Sequence, residues 1–215
     1  MLKEEIILQR TPEMKMGMKI KEVQITERLG CSPTPVREAI NMLRQDNLIV
    51  GNSFHTSEII SFSQKDVYDL LTLRAELEVS ALRQAMPNFT PEDIVALKNL
   101  LQDYAKANEG TDFTKISALN GEFHNYILMK TGNRALSKVL GGIKDQAALL
   151  RAPVVEARKS QRESGVEAEA VSEHAAIIAA IEKGDCESAC ESMKKHMLRV
   201  RKDVCDYYAQ HQLDT

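Results

Sequence analysis

The sequence predicts a mainly α fold: an N-terminal winged helix-turn-helix over residues 1–60, then an antiparallel bundle of six to seven helices over 61–215. Three observations lead there. The chain has no Trp and only 5% aromatic residues among abundant Ala, Leu, Glu and Lys, a composition that favours helix over sheet. The run from Ile25 to Leu43, ITERLGCSPTPVREAINML, is punctuated as two short helices with a tight turn between them. Beyond Phe62, capping residues and helix stops recur at spacings that suit helices joined by short connections.

Leu2 to Leu8 reads as a short apolar-charged helix, interrupted at Thr11-Pro12. Met16 to Ile20 is a turn into a short strand. Ile25 and Leu29 then give one helix its apolar face, Gly30 supplies the left-handed residue that ends it, and Ser32-Pro33 starts the next. Val36, Ala39, Ile40 and Leu43 form the stripe on which that second helix packs. Its opposite face and first turn present Ser32, Thr34, Arg37, Asn41 and Arg44, a polar and basic surface suited to DNA. A plain helical hairpin is the alternative. Pro33 at N1 and Pro35 at N3 fall where a missing N–H costs least. Leu48–Val50 and Ser57–Ile60 can pair as a hairpin, with Gly51, Asn52 and Ser53 as turn residues and His55 near the tip.

Six helices complete the chain. Ser63 with Asp66 caps one that runs to about Met86, and Thr90-Pro91-Glu92-Asp93 caps the next, to about Asn108. A third spans about Asp112 to Lys130 and stops at Gly132; Asn133 opens a fourth, which Pro153 is expected to kink or end. After a polar stretch from Arg158 to Gly165, a fifth reaches Lys183 and stops at Gly184, and Asp185 caps a sixth that continues towards Tyr208.

Polar residues interrupt the inward stripes of these helices. Asn120 and His124 share a face with Ile116, Phe123 and Ile127; His174 falls among Val171, Ile178 and Ile181; His196 falls among Met193, Met197, Val200 and Val204. One inward His is usually a satisfied core residue. Three on three helices each need a partner, and a shared metal ion would serve all of them. Arg74, after Val67, Leu70 and Leu71, and Arg151, after Leu140, Ile143 and Ala147, also point inward. Each must meet an anion, either a neighbouring carboxylate such as Glu78 or Glu122, or a bound carboxylate ligand.

The run LG-x-S-x-TPVREA, present as Leu29 to Ala39, resembles the winged helix-turn-helix of GntR-family transcription regulators, and the helical remainder of the chain resembles their FadR-like subgroup with an all-helical effector domain. The likeness covers nearly the whole chain. It implies that Asn120, His124, His174 and His196 stand where the subgroup carries an Asp and three His around a divalent cation of the Zn, Ni or Mn class. Asn120 replaces the Asp and adds no charge. The resemblance also implies that Arg74 and Arg151 lie near the cavity for a small carboxylate effector, and that a homodimer binds double-stranded operator DNA. This chain departs from the pattern at Pro33 and Val23, where the family usually has Arg, and its wing offers only Gly51, Asn52 and His55 in place of an Arg-Gly or His-Gly tip.

Charge and cysteines narrow the setting. Net charge is −3, with eight Lys/Arg against seven Asp/Glu in residues 1–57 and twenty against twenty-four beyond, so DNA would be met by a local patch and dimerisation. Cys31, Cys186, Cys190 and Cys205 contain no CxxC pair and no secretory signal precedes them, which reads as reduced thiols in a cytoplasmic protein. No apolar run approaches the roughly 20 residues a membrane span needs. The function expected is therefore a non-enzymatic, ligand- and metal-responsive DNA-binding regulator. Two alternatives stand beside it: a helical-bundle metallo-enzyme, weakened by the lack of a spare carboxylate on the His stripes, and a family member whose DNA reading is lost or altered.

Overall fold

The computed structural model describes residues 2–51, 57–110, 112–160 and 168–211. Within them α1 (Leu2–Ile7) leads through a 3-10 turn at Pro12–Met14 to α2 (Glu22–Leu29) and α3 (Pro33–Gln45). Gly30 closes α2 in the left-handed region at φ 61°, where its N–H reaches the last carbonyls of the helix. The stripe Val36, Ile40 and Leu43 is buried beneath α3. Strands β1 (Ile49–Val50) and β2 (Glu58–Ile59) pair antiparallel, Ile49 opposite Ile59, as the base of the expected wing. Met16–Ile20 makes a single bridge, Lys19 with Glu58, instead of a strand of its own. The turn residues Asn52 and Ser53, and His55, lie outside the described residues.

The rest of the described chain is α4 (Gln64–Ala85), α5 (Pro91–Glu109), α6 (Phe113–Lys130), α7 (Arg134–Ser160), α8 (Ala168–Glu182) and α9 (Cys186–Gln210). The starts of α4, α5, α6, α7 and α9 are set by side chains that satisfy free first-turn N–H groups. Ser63 and Asp66 form a reciprocal capping box on α4, Thr90 and Asp93 another on α5, while Asp112, Asn133 and Asp185 accept from Lys115, Leu136 and Ser188. α4 and α9 pack along each other at the centre, with α8 and then α5 on one side and α6 and α7 closing on α4.

Pro153 does not end α7, which continues to Ser160. The carbonyl that Pro153 orphans one turn earlier, at Leu149, accepts the Nε2–H of Gln9 at 3.1 Å, so the helix passes through the proline without an unpaired acceptor. The neighbouring Leu150 carbonyl accepts the hydroxyl of Tyr208 at 3.1 Å.

One hydrophobic cluster joins the two ends of the chain. Ile6, Ile25, Val36 and Ile40 share it with Leu71, Leu150, Val154 and Val204. The N-terminal helices therefore sit on the bundle through packed apolar side chains, with α1 laid against α7.

Candidate metal centre and the cavity beside it

Each bundle helix that carries a predicted ligand is oriented by the apolar residues around that ligand. Ile116, Phe123 and Ile127 bury the inner face of α6, and this turns Asn120 and His124 inward. Ile178 and Ile181 do the same for His174, and Met193, Met197 and Val200 for His196. All three imidazoles are 1% exposed, which leaves no bulk water to satisfy them. They converge: one ring nitrogen from each lies within 4.8 Å of the others, and the Nε2 atoms of His174 and His196 are 3.3 Å apart. Phe123 stacks on His174 at a centroid distance of 3.9 Å and fixes that ring's plane.

Two carboxylates behind the rings set their tautomers. Glu78 of α4 accepts from His124 Nδ1 at 3.2 Å, and Glu173 of α8 accepts from His196 Nδ1 at 2.7 Å. An imidazole whose Nδ1–H is committed in this way turns a lone pair on Nε2 towards the centre. Burial lowers the pKa of all three rings, against the pull of Glu78 on His124 and of Glu173 on His196; His124 falls to about 4. For His174 the neighbouring rings add to the burial, and it falls well below the ordinary value. The rings are thus neutral near pH 7, the form that binds a metal. Burial would raise Glu78, but His124 and then Arg74 outweigh it and hold the carboxyl down at about 2. Glu173 is likewise held at about 2, burial being outweighed by bonds from His196 and Arg199.

Does this constellation fit a cation? Asn120 Oδ1 and His124 Nε2 are both buried and make no hydrogen bond within the described protein. Each such orphan costs about 1–3 kcal/mol. Three imidazole nitrogens and an amide oxygen, backed by two carboxylates, fit a divalent metal of intermediate softness.

A cavity of about 690 Å³ is lined by Arg74, Asn120, Lys144 and Arg151; none of the three imidazoles lines it, and Arg74, through Glu78, links its wall to His124. Arg74 bonds Glu78 at 3.3 Å through both Nε and Nη2, so it has the carboxylate partner considered for it, and Glu78 rather than Glu122 supplies that partner. Arg74 is at once in an ion pair and on the cavity wall. Arg151 is close enough to depress the ionisation of Arg74, His174 and His196. Burial lowers the Lys144 ammonium, with Glu78 acting against it. The helical stripes do not single out Lys144, because it sits one position after the apolar Ile143; nor do they reveal Lys3 and Asp145, which the packing of α1 on α7 brings to the same wall.

On α3 and its N-cap, Ser32, Thr34, Arg37 and Asn41 are exposed, whereas Arg44, one turn after the buried Ile40, is half-buried. Arg37 Nε bonds both oxygens of Glu22 at 3.0 Å, and Arg44 bonds Asn41 at 2.6 Å and Ser57 at 2.5 Å. Those bonds hold α3 to α2 and to the wing. Val23, where the resemblance expects Arg, is 67% exposed.

Residues 69–199, well over half of the chain, match the FCD domain family. The chain belongs to that family. The FCD match runs from Asp69 in α4 to Arg199 in α9 and so contains Arg74, Asn120, His124, Arg151, His174 and His196. Among curated relatives, the chain is 31% identical over 132 residues to an uncharacterized HTH-type transcriptional regulator, YdhC, of Bacillus subtilis, and 28% identical over 127 residues to the HTH-type transcriptional regulator McbR of Escherichia coli. These matches take in 61% and 59% of this chain but span only 59% and 58% of those relatives. Among solved structures, Escherichia coli McbR/YncC superposes with a TM-score of 0.80 at 22% identity, covering 98% of this chain and 95% of that one. A GntR regulator from Rhodococcus sp. RHA1 gives 0.74 at 18% identity, covering 96% and 95%. The fold is that of FadR-like GntR regulators with an FCD bundle.

Carboxylates do stand beside the His residues, as Glu78 and Glu173, but each is already bonded to a ring nitrogen and to an Arg. Neither is placed as a free general base.

Proposed function

We propose that the chain is a transcription regulator in which residues 61–215 bind a divalent metal of the Zn, Ni or Mn class and a small carboxylate, and residues 1–60 bind operator DNA as part of a homodimer. The observation that supports this most is the convergence of three neutral imidazoles, two of them held by Glu78 and Glu173, behind a cavity whose wall includes Asn120, Arg74 and Arg151. His124, His174 and His196 would hold the metal through ring nitrogens, with Asn120 supplying its otherwise unpaired oxygen. The bound cation would contribute local positive charge that favours an anion in the cavity. Arg74 and Arg151 orient a carboxylate; the apolar walls keep water from competing with it.

Ser32, Thr34, Arg37, Asn41 and Arg44 are the residues we assign to DNA, with Arg37 exchanging Glu22 for a base edge or phosphate. Dimerisation supplies the second half-site that so weakly charged a module requires. Elemental analysis of untagged protein, with fluorescence anisotropy on the promoter fragment upstream of its own gene, tests the proposal. Metal at about one equivalent and binding weakened by Arg37→Ala by about 1–3 kcal/mol are expected. Metal-free protein that binds no small acid would return the three His residues to a structural role.

A further inference from the structure

The cavity wall includes residues from the far end of the chain. Lys3, Glu4, Ile7 and Leu8 of α1 and the turn after it line the side opposite the bundle. The ammonium of Lys3 lies 2.6 Å from Asp145 on α7, in the wall, and 2.9 Å from Asp46, the residue that ends α3. Around it α1 is tied in several directions: Glu5 to Arg28 of α2 at 2.5 Å, Glu4 through Arg10 to Thr114 of α6 at 2.6 Å, and Gln9 to the Leu149 carbonyl. Gln146, next to Asp145, donates to the carbonyl of Asn47, next to Asp46, at 2.9 Å. One lysine therefore stands between the cavity and the end of the helix assigned to DNA.

Two carboxylates on one ammonium leave an excess negative charge, so exchanging one of them for a ligand carboxylate keeps the local charge unchanged. Asp46 is the more exposed of the two, at 39% against 24% for Asp145, and it alone lies outside the cavity lining. It is the easier partner to release, because water can take Lys3's place. Three donors on the ammonium allow it to keep Asp145 while it turns to a ligand.

We infer that Lys3 is a ligand-binding residue of this cavity, that it recognises a second carboxylate, and that Asp46 is the partner it gives up when such a ligand enters. This rests on the cavity being the carboxylate site proposed above. It narrows the ligand to a dianion, one end towards Arg74 and Asn120 and the other towards α1. A monocarboxylate of the same length would leave Lys3 on Asp46.

Calorimetric titration of the full-length metal-loaded chain with succinate, malate and citrate, and with butyrate as the one-carboxylate match to succinate, tests it. Wild type should prefer the diacids. Lys3→Gln should weaken them about tenfold, the loss of one charge-assisted contact, and leave butyrate unchanged. Asp46→Asn, outside the cavity lining, should tighten the diacids severalfold, since Lys3 then no longer has to release Asp46, and again leave butyrate unchanged; a purely structural ion pair predicts no such gain. Equal effects of Lys3→Gln on diacid and monoacid, or weaker diacid binding by Asp46→Asn, would overturn the role of Lys3 and leave the carboxylate site standing. Should none of the four acids bind wild type, and Arg74→Gln change nothing, the cavity reading falls and this inference with it.

Discussion

At the scale of single residues the centre depends on atoms that have no alternative partner. Removing a metal that binds only the folded chain withdraws a stabilisation of RT ln(1 + [L]/Kd), so chelation should lower the melting temperature of wild type and leave His124→Ala unmoved. Asn120→Asp should tighten the metal by adding a negative ligand, read as a higher chelator concentration needed to strip it. The chelated protein should also lose stability in acid. The unfolded rings titrate near the ordinary 6.5 and folded His124 near 4, so the folded state favours the neutral form. Its contribution is complete above pH 6.5, declines as pH falls and is gone below about 4. Glu78 and Glu173, held near 2, stay ionised across that window. A melting temperature that stays flat from pH 7 to 5 would remove the rings as the cause. The three His and Asn120 were legible in the sequence because a helical stripe makes a polar residue conspicuous. The roles of Glu78 and Glu173 were not, since a Glu on a helix reads as solvated until packing shows which imidazole it meets.

At the scale of elements, what was local in the chain could be read and what was tertiary could not. Ser63, Thr90 and Asp185 each satisfy first-turn N–H groups three residues on, so sequence alone placed the helix starts. Thr90→Ala should cost about 1 kcal/mol in denaturant melts, with Asp93 left to hold Lys130 and Tyr126. Pro153 shows the opposite case. Its effect depends on whether the Leu149 carbonyl finds another donor, and that donor, Gln9, is 140 residues away. Gln9 adopts φ 48° to reach it, a conformation unusual for a residue with a side chain. Gln9→Ala should therefore lose about 1–2 kcal/mol by leaving a buried carbonyl unpaired, and Pro153→Ala, which restores an N–H to α7, should recover part of it in the double variant. Additive losses in that cycle would mean that the two residues do not act on the same carbonyl.

At the scale of the whole molecule, α1 makes the helix-turn-helix and the bundle one packed body, with a shared apolar cluster and the Lys3 contact running between them. Asp46 lies at the C-terminal end of α3, where a negative charge opposes the helix dipole and Lys3 offsets it. On the proposal above, a dianion that drew Lys3 away would leave that charge uncompensated and loosen the last turn of α3, where Arg44 bonds Asn41 and Ser57. This sets the direction of coupling: a diacid should weaken operator binding, on the order of tenfold for an ordinary coupling energy. Linkage requires operator DNA to weaken the diacid by the same factor. Asp46→Asn removes the charge that couples the two, so it should bind both DNA and diacid and show neither effect on the other. Anisotropy titrations of operator with and without succinate, on wild type and on Asp46→Asn, give the two factors directly. Equal coupling in both proteins would mean that the signal leaves the cavity by a route other than Lys3.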